Sequence, residues 1–230
     1  MDTCMNKLWC IFAVLLVMTN PTAVTSSRAD ALTDGGRWLV RLRGVYLDLA
    51  NKSDPIPSLG VPRDAIHVNS KGLPDLDIEY FFTSQWSSEL VLTYPQSQTV
   101  TVEKSALGGP TVLGTFKHLP PILTAKYNFM PDAVFRPYVG LGVNLTIIWD
   151  TNLAVPTSPA IPLHLDSTSV GVAGQAGFDF KVADNWFVNA DVKWAKLGSD
   201  VKAGGTTVSI AHLDPWLFGL GVGYRFGRSR

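Results

Sequence analysis

The chain has 230 residues, 46% hydrophobic and 17% charged, and its nineteen basic residues are balanced by nineteen acidic ones. That length suits one domain, and the balance excludes the basic surface that a polyanion such as nucleic acid requires. The two cysteines, Cys4 and Cys10, both fall in the first ten residues, so the rest of the chain has no disulfide framework.

Lys7 precedes an apolar run from Leu8 to Met18, LWCIFAVLLVM. The run is shorter than the roughly 20 residues that span a bilayer as a helix. Ala29-Asp30-Ala31 then supplies an A-x-A processing signature. Residues 1–31 read as a secretory signal peptide cut after Ala31, with a cut nearer Ser26 as the alternative. Residues 32–226 are expected to form one domain and residues 227–230 a short tail.

From Trp38 onward, apolar residues recur at every second position in about eight segments, the period of β-strands. The first sets Trp38, Val40, Leu42 and Tyr46 against Arg37, Arg41, Arg43 and Leu47. The second sets Leu76, Ile78, Tyr80 and Phe82 against Asp75, Asp77 and Glu79, and the third sets Trp86, Leu90, Leu92 and Tyr94 against Ser87, Glu89, Val91 and Thr93. The fourth sets Leu119, Leu123, Tyr127 and Phe129 against Thr124, Lys126 and Asn128. The fifth, from Phe135 to Trp149, has Val139, Leu141, Val143 and Leu145 on one face and Arg136, Tyr138 and Asn144 on the other. The sixth sets Val170, Val172, Phe178 and Phe180 against Gln175, Asp179 and Lys181, and the seventh sets Trp186, Val188, Val192 and Trp194 against Asn189, Asp191 and Lys193. The eighth, from Trp216, ends LFGLGVGYRF, in which Phe218, Leu220, Val222, Tyr224 and Phe226 alternate with three glycines and Arg225.

The connections near 83–85, 130–134 and 182–185 are tight. Those over 50–72, 95–116, 150–167 and 198–212 are long. Tight turns on one side and long loops on the other mark an all-β, eight-stranded antiparallel transmembrane β-barrel, with short periplasmic turns and long extracellular loops. Tryptophans fall at strand ends on the oily face: Trp38, Trp86 and Trp186 at the periplasmic end, Trp149, Trp194 and Trp216 at the outer end. Two aromatic belts around an aliphatic middle match two membrane–water interfaces. A soluble lipocalin-like barrel would turn its oily face inward and carry no belts. Tyr224 and Phe226 also form an aromatic C-terminal pattern of the kind that the barrel-assembly machinery reads.

The segments GRWLVRLRGVYLDL (36–49), LPDLDIEYFFTSQWSSEL (73–90), FKHLPPILTAKYNF (116–129), FRPYVGLGVN (135–144), WFVNADVKW (186–194) and LDPWLFGLGVGYRF (213–226) together resemble the OmpW family. The resemblance covers nearly all of residues 36–226, in order. It implies a small monomeric outer-membrane barrel of Gram-negative bacteria, associated with passage of small hydrophobic molecules, including alkanes in some relatives. It also implies a hydrophobic channel that leaves sideways through the wall.

The inward positions give expectations of their own. Arg41, Asp77, Glu79, Lys126, Arg136, Asp179 and Arg225 carry both signs on the periplasmic half, where unpaired buried charge is costly. They are expected to pair into a plug, because an eight-stranded interior is just wide enough for side chains to fill. Leu47, Leu49, Val91, Ile122, Ile148, Leu197 and Leu217 line the outer half and are expected to form an apolar pocket, interrupted by Arg43, Thr93 and Lys193. Pro120 and Pro121 remove backbone donors at that height and are the expected lateral exit. His67, His118, His164 and His212 all lie in or beside long loops, but they form no catalytic or metal-ligand motif. No cofactor motif is present, and no enzyme activity is expected. The partners implied are outer-membrane lipid, small hydrophobic solutes and, during biogenesis, the barrel-assembly machinery, with the chain acting as a monomer. A structural or adhesive barrel serving as a receptor for phage or bacteriocin is the alternative.

Overall fold

A computed structural model describes residues 36–57, 60–105, 108–157 and 160–227. The signal peptide, its cleavage point and the last three residues of the tail lie outside the described residues.

The strands are β1 (Trp38–Asp48), β2 (Lys52–Ser53), β3 (Ile66–Val68), β4 (Lys71–Phe81), β5 (Trp86–Thr93), β6 (Gln96–Val102), β7 (Thr111–Leu119), β8 (Ile122–Asn128), β9 (Phe135–Val155), β10 (Ile161–Leu165), β11 (Thr168–Lys181), β12 (Trp186–Ala195), β13 (Gly198–Ala203), β14 (Thr206–His212) and β15 (Trp216–Phe226). Eight of them, β1, β4, β5, β8, β9, β11, β12 and β15, pair antiparallel in that order, and β15 returns to β1. Closure leaves no free edge strand, so below the Val91↔Ile122 pair the backbone groups are satisfied within the wall, as the hydrocarbon of a bilayer demands.

Parity along the strands decides which face is which. Leu42, Leu141 and Leu220 are more than 60% exposed, which only a lipid solvent favours over so large a surface. The aromatic belts bracket them. Trp38 lies opposite Phe226 and Tyr80 in the ladder, with the Trp38 and Tyr80 rings 4.8 Å apart. Trp86 packs edge-on to Tyr127 at 5.0 Å, as Trp186 does to Tyr224.

The glycine face of β15 makes room for the lumen's charged side chains. A Cβ at Gly221 would lie 2.2 Å from the Leu42 carbonyl oxygen and 2.5 Å from Arg43 Cγ. At Gly219 it would meet Asp191 Oδ1 at 2.5 Å. Gly221→Val therefore forces β1 and β15 apart at the closing seam, at a cost of about 1–3 kcal/mol or more. The expected outcome is a large loss of the folded band that migrates apart from boiled protein on a denaturing gel. A wild-type folded fraction in the valine variant would contradict the packing.

The long connections are where the structure departs from the sequence reading. They carry strands of their own, which form a second tier of sheet. β3, β6, β7, the upper part of β9, β10, β13, β14 and β2 pair in that order above the membrane wall. β2 and β3 nearly complete the ring: Asp64 N–H donates to the Ser53 carbonyl at 3.0 Å, and Ile66 N–H to Ser53 Oγ at 3.4 Å. β9, 21 residues long, runs through both tiers.

Candidate functional site

The lumen is stratified. At the periplasmic mouth Leu39, Phe81 and Phe187 form a small apolar cluster. The Arg225 guanidinium lies 4.0 Å from the Phe81 ring centroid and that of Arg136 lies 5.0 Å from Phe187. Arg225 Nε donates to the Gly36 carbonyl and Arg136 Nε to the Ala133 carbonyl, each at 2.7 Å.

Above them, midway along β1 between the belt residues Trp38 and Tyr46, is a charged layer. It holds four cations, Arg41, Arg43, Lys126 and Lys193, and six carboxylates, Asp75, Asp77, Glu79, Glu89, Asp179 and Asp191. Arg41 grips Asp179 with two hydrogen bonds, 3.0 and 2.6 Å, and donates to Glu89 at 3.1 Å. Arg43 grips Asp75 at 3.0 and 2.7 Å and reaches Asp191 at 2.6 Å and Asp77 at 3.0 Å. Lys126 bonds Glu79 at 2.9 Å and Glu89 at 2.7 Å, over the Tyr138 ring at 3.6 Å. Lys193 joins Glu89 and Asp191. Arg41, Lys126, Glu79 and Glu89 are fully buried. Charge withdrawn this far from water persists only when so paired.

Arg41, Asp77, Glu79, Lys126 and Asp179 are thus brought together, but at mid-height rather than in the periplasmic half. Arg136 and Arg225 sit at the mouth and line it together with Asp179, which Arg136 faces across the β9–β11 ladder. Arg43 and Lys193, read as interruptions of the apolar lining, are central members, with Asp75, Glu89 and Asp191.

An apolar floor of Val91, Ile122, Ala173 and Ala195 covers the charges. On it lies a compartment of about 30 Å³ lined by Leu47, Leu49, Leu197, Leu217, Ile122, Phe116 and Pro120, with Gln98 and His118. Above it, inside the second tier, is a chamber of about 150 Å³ lined by Ile66, Val68, Val100, Val102, Phe116, Ile148, Leu153, Val155, Leu163 and Val201, with Ser105, Thr111 and Thr157 among its polar neighbours. Val68, Phe116 and Leu213 border both spaces, so the two are neighbours that share these side chains. Ile148 therefore belongs to the chamber and Val91 to the floor, while the other five apolar residues read from sequence line the compartment. The chamber itself was missed because its lining comes from segments taken as loops. The alternation in Gln96-Ser97-Gln98-Thr99-Val100-Thr101-Val102 carried the signal.

The wall is incomplete at one height. β5 and β8 pair up to Val91↔Ile122, and β6 and β7 resume at Gln96↔His118. Between these pairs Leu92–Pro95 face Leu119–Pro121 without a ladder. Pro121 turns its carbonyl to β9, where Leu145 N–H donates to it at 3.1 Å. Pro120 is consequently the residue whose missing donor faces β5, since alternate residues of a strand address opposite neighbours.

His118 stands on β7 opposite Ile148, next to the exposed ion pair Lys117–Asp150 at 2.8 Å. Its ring is buried, and a neutral imidazole carries one N–H and one lone pair. His67, His164 and His212 sit on β3, β10 and β14. Among the described residues no cluster of three metal-ligating side chains occurs.

A closed antiparallel barrel with two aromatic belts, a charged waist and an apolar upper space defines an outer-membrane β-barrel protein. The OmpW family profile matches residues 35–226. The chain belongs to the OmpW family and resides in the bacterial outer membrane. It is 37% identical over 195 residues to the uncharacterized outer-membrane protein y4mB of Sinorhizobium fredii, covering 82% of this chain and 80% of that protein. It is 35% identical over 165 residues to outer membrane protein W of Vibrio cholerae, covering 69% and 76%. The crystal structure of OprG from Pseudomonas aeruginosa aligns with a TM-score of 0.73 at 28% identity, covering 86% of this chain and all of that one.

Proposed function

We propose that the barrel gives small hydrophobic molecules passive passage across the outer-membrane surface. They enter the upper chamber from outside, descend to the compartment above the charged layer and leave sideways beside Pro120 into the membrane. The single observation that carries this reading is the stacking of two apolar spaces, which share Val68, Phe116 and Leu213, on an apolar floor at the height of the ladder gap. A cavity of about 150 Å³ lined by aliphatic and aromatic side chains stays dry and takes a benzene-sized guest. Each 100 Å² of apolar surface taken from water supplies roughly 2.5 kcal/mol, so entry needs no energy source. The ion-paired waist acts as a plug against the periplasm, and the bilayer is the lower-energy destination for the solute.

The test is to fill the chamber. Val100→Phe with Val201→Phe adds bulk from two strands without touching the membrane wall. Uptake of benzene or octane by cells with matched levels of folded barrel is expected to fall several-fold. Uptake equal to that of the unfilled barrel defeats the proposal.

A further inference from the structure

One pair of side chains in the conduit does not suit a purely apolar guest. Gln98 and His118 are 1% and 4% exposed, and both line the lower compartment beside Pro120 and Leu217. Gln98 Nε2 lies 3.4 Å from His118 Nε2. An amide nitrogen only donates, so His118 Nε2 presents its lone pair there and the ring proton sits on Nδ1. Two polar atoms are left over. Neither His118 Nδ1 nor Gln98 Oε1 has a hydrogen-bond partner among the described residues. The first is a donor and the second an acceptor.

A buried donor and acceptor without partners are costly and call for an occupant. The neighbouring space of about 30 Å³ holds a group the size of a hydroxyl. A hydroxyl is the smallest group that accepts from one atom and donates to another. We propose that Gln98 and His118 form a selectivity site for hydrophobic solutes bearing one hydroxyl, with the ligand oxygen accepting from His118 Nδ1–H and the ligand O–H donating to Gln98 Oε1. The alkyl tail then packs toward the apolar chamber against Val68, Phe116 and Leu213, the side chains the two spaces share. This rests on the conduit reading and narrows it: an alkane fills the same space but leaves both polar atoms bare, whereas an alcohol satisfies them.

The experiment compares deuterated octane and 1-octanol supplied together to cells carrying wild-type barrel, no barrel, or the Gln98→Leu/His118→Leu variant, with barrel levels matched by the folded gel band. Two hydrogen bonds of ordinary net strength favour the alcohol by about tenfold in barrel-dependent uptake. The double variant is expected to lose that preference while still admitting octane. Wild-type barrel admitting both solutes alike overturns the proposal, because an ordered water alone then fills the site, and it leaves the conduit reading intact. Admission of neither solute overturns both. Should the double variant fold poorly, Gln98→Met, close to isosteric, serves in its place: an unchanged preference in this variant counts against the site.

Discussion

Replacing Arg41 with alanine is expected to open the proposed plug at the barrel's waist to ions. Arg41 is fully buried and is the counter-ion shared by Asp179, Glu79 and Glu89. Removing one partner of a buried ion pair costs about 3–5 kcal/mol, because the remaining charges lose their compensation. Water is the available remedy, since a polar space the size of the missing side chain hydrates readily. Hydration that lowers the barrier to an ion by about 1.4 kcal/mol raises conductance about tenfold. In planar bilayers the wild type is expected to conduct weakly, and Arg41→Ala to give larger and noisier currents. Arg136→Ala is the comparison variant, because Arg136 lines the periplasmic mouth with Arg225 and Phe187. A large wild-type pore insensitive to Arg41 would falsify the plug. Equal effects of Arg41→Ala and Arg136→Ala would place the barrier at the mouth instead.

The eight spanning strands were legible because lipid strongly favours apolar outward residues, so the period of two runs along whole strands, as in Val139–Trp149. The second tier escaped notice for the opposite reason. Its outer face meets water, its inner face is apolar, and Pro95, Pro110, Pro156 and the Gly204–Gly205 turn interrupt it, so the same alternation looks like loop. Parity placed the charged side chains inside, but height did not follow from counting along each strand. The strands of a barrel are tilted, and register alone puts Arg43 opposite Asp75 and Gly221. Arg225, opposite Leu39, therefore lies one inward step below Arg41, opposite Gly223. The Gln98–His118 pair depends on how β6 and β7 align across a hairpin whose register shifts at Val100/Thr101, a detail that no single strand reveals.

The proline pair was visible in the sequence, yet the structure separates the roles of its members, and that separation yields the sharpest test of lateral exit. Pro120 lines the lower compartment from within and is half-buried, so it forms a thin part of the wall. Its missing donor faces the unpaired stretch Leu92–Pro95. Pro121 faces β9, and its carbonyl is already engaged by Leu145. Restoring an N–H at position 120 lets the β5–β8 ladder grow upward from Val91↔Ile122, and each backbone hydrogen bond gained contributes about 0.5–1.5 kcal/mol toward closure. Pro120→Val, alone or together with Pro121→Thr, is therefore expected to abolish most barrel-dependent octane uptake in cells with matched folded barrel. Pro121→Thr alone is expected to leave it nearly unchanged. Pro95 lacks a donor on the opposite side of the same gap, so Pro95→Val is expected to act in the same direction as Pro120→Val and to add to it. If the solute instead passed straight down the lumen, sealing the wall would change nothing, and Arg41→Ala would be the variant that altered uptake. The two outcomes exclude each other, because the plug and the gap lie on opposite sides of the apolar floor formed by Val91, Ile122, Ala173 and Ala195.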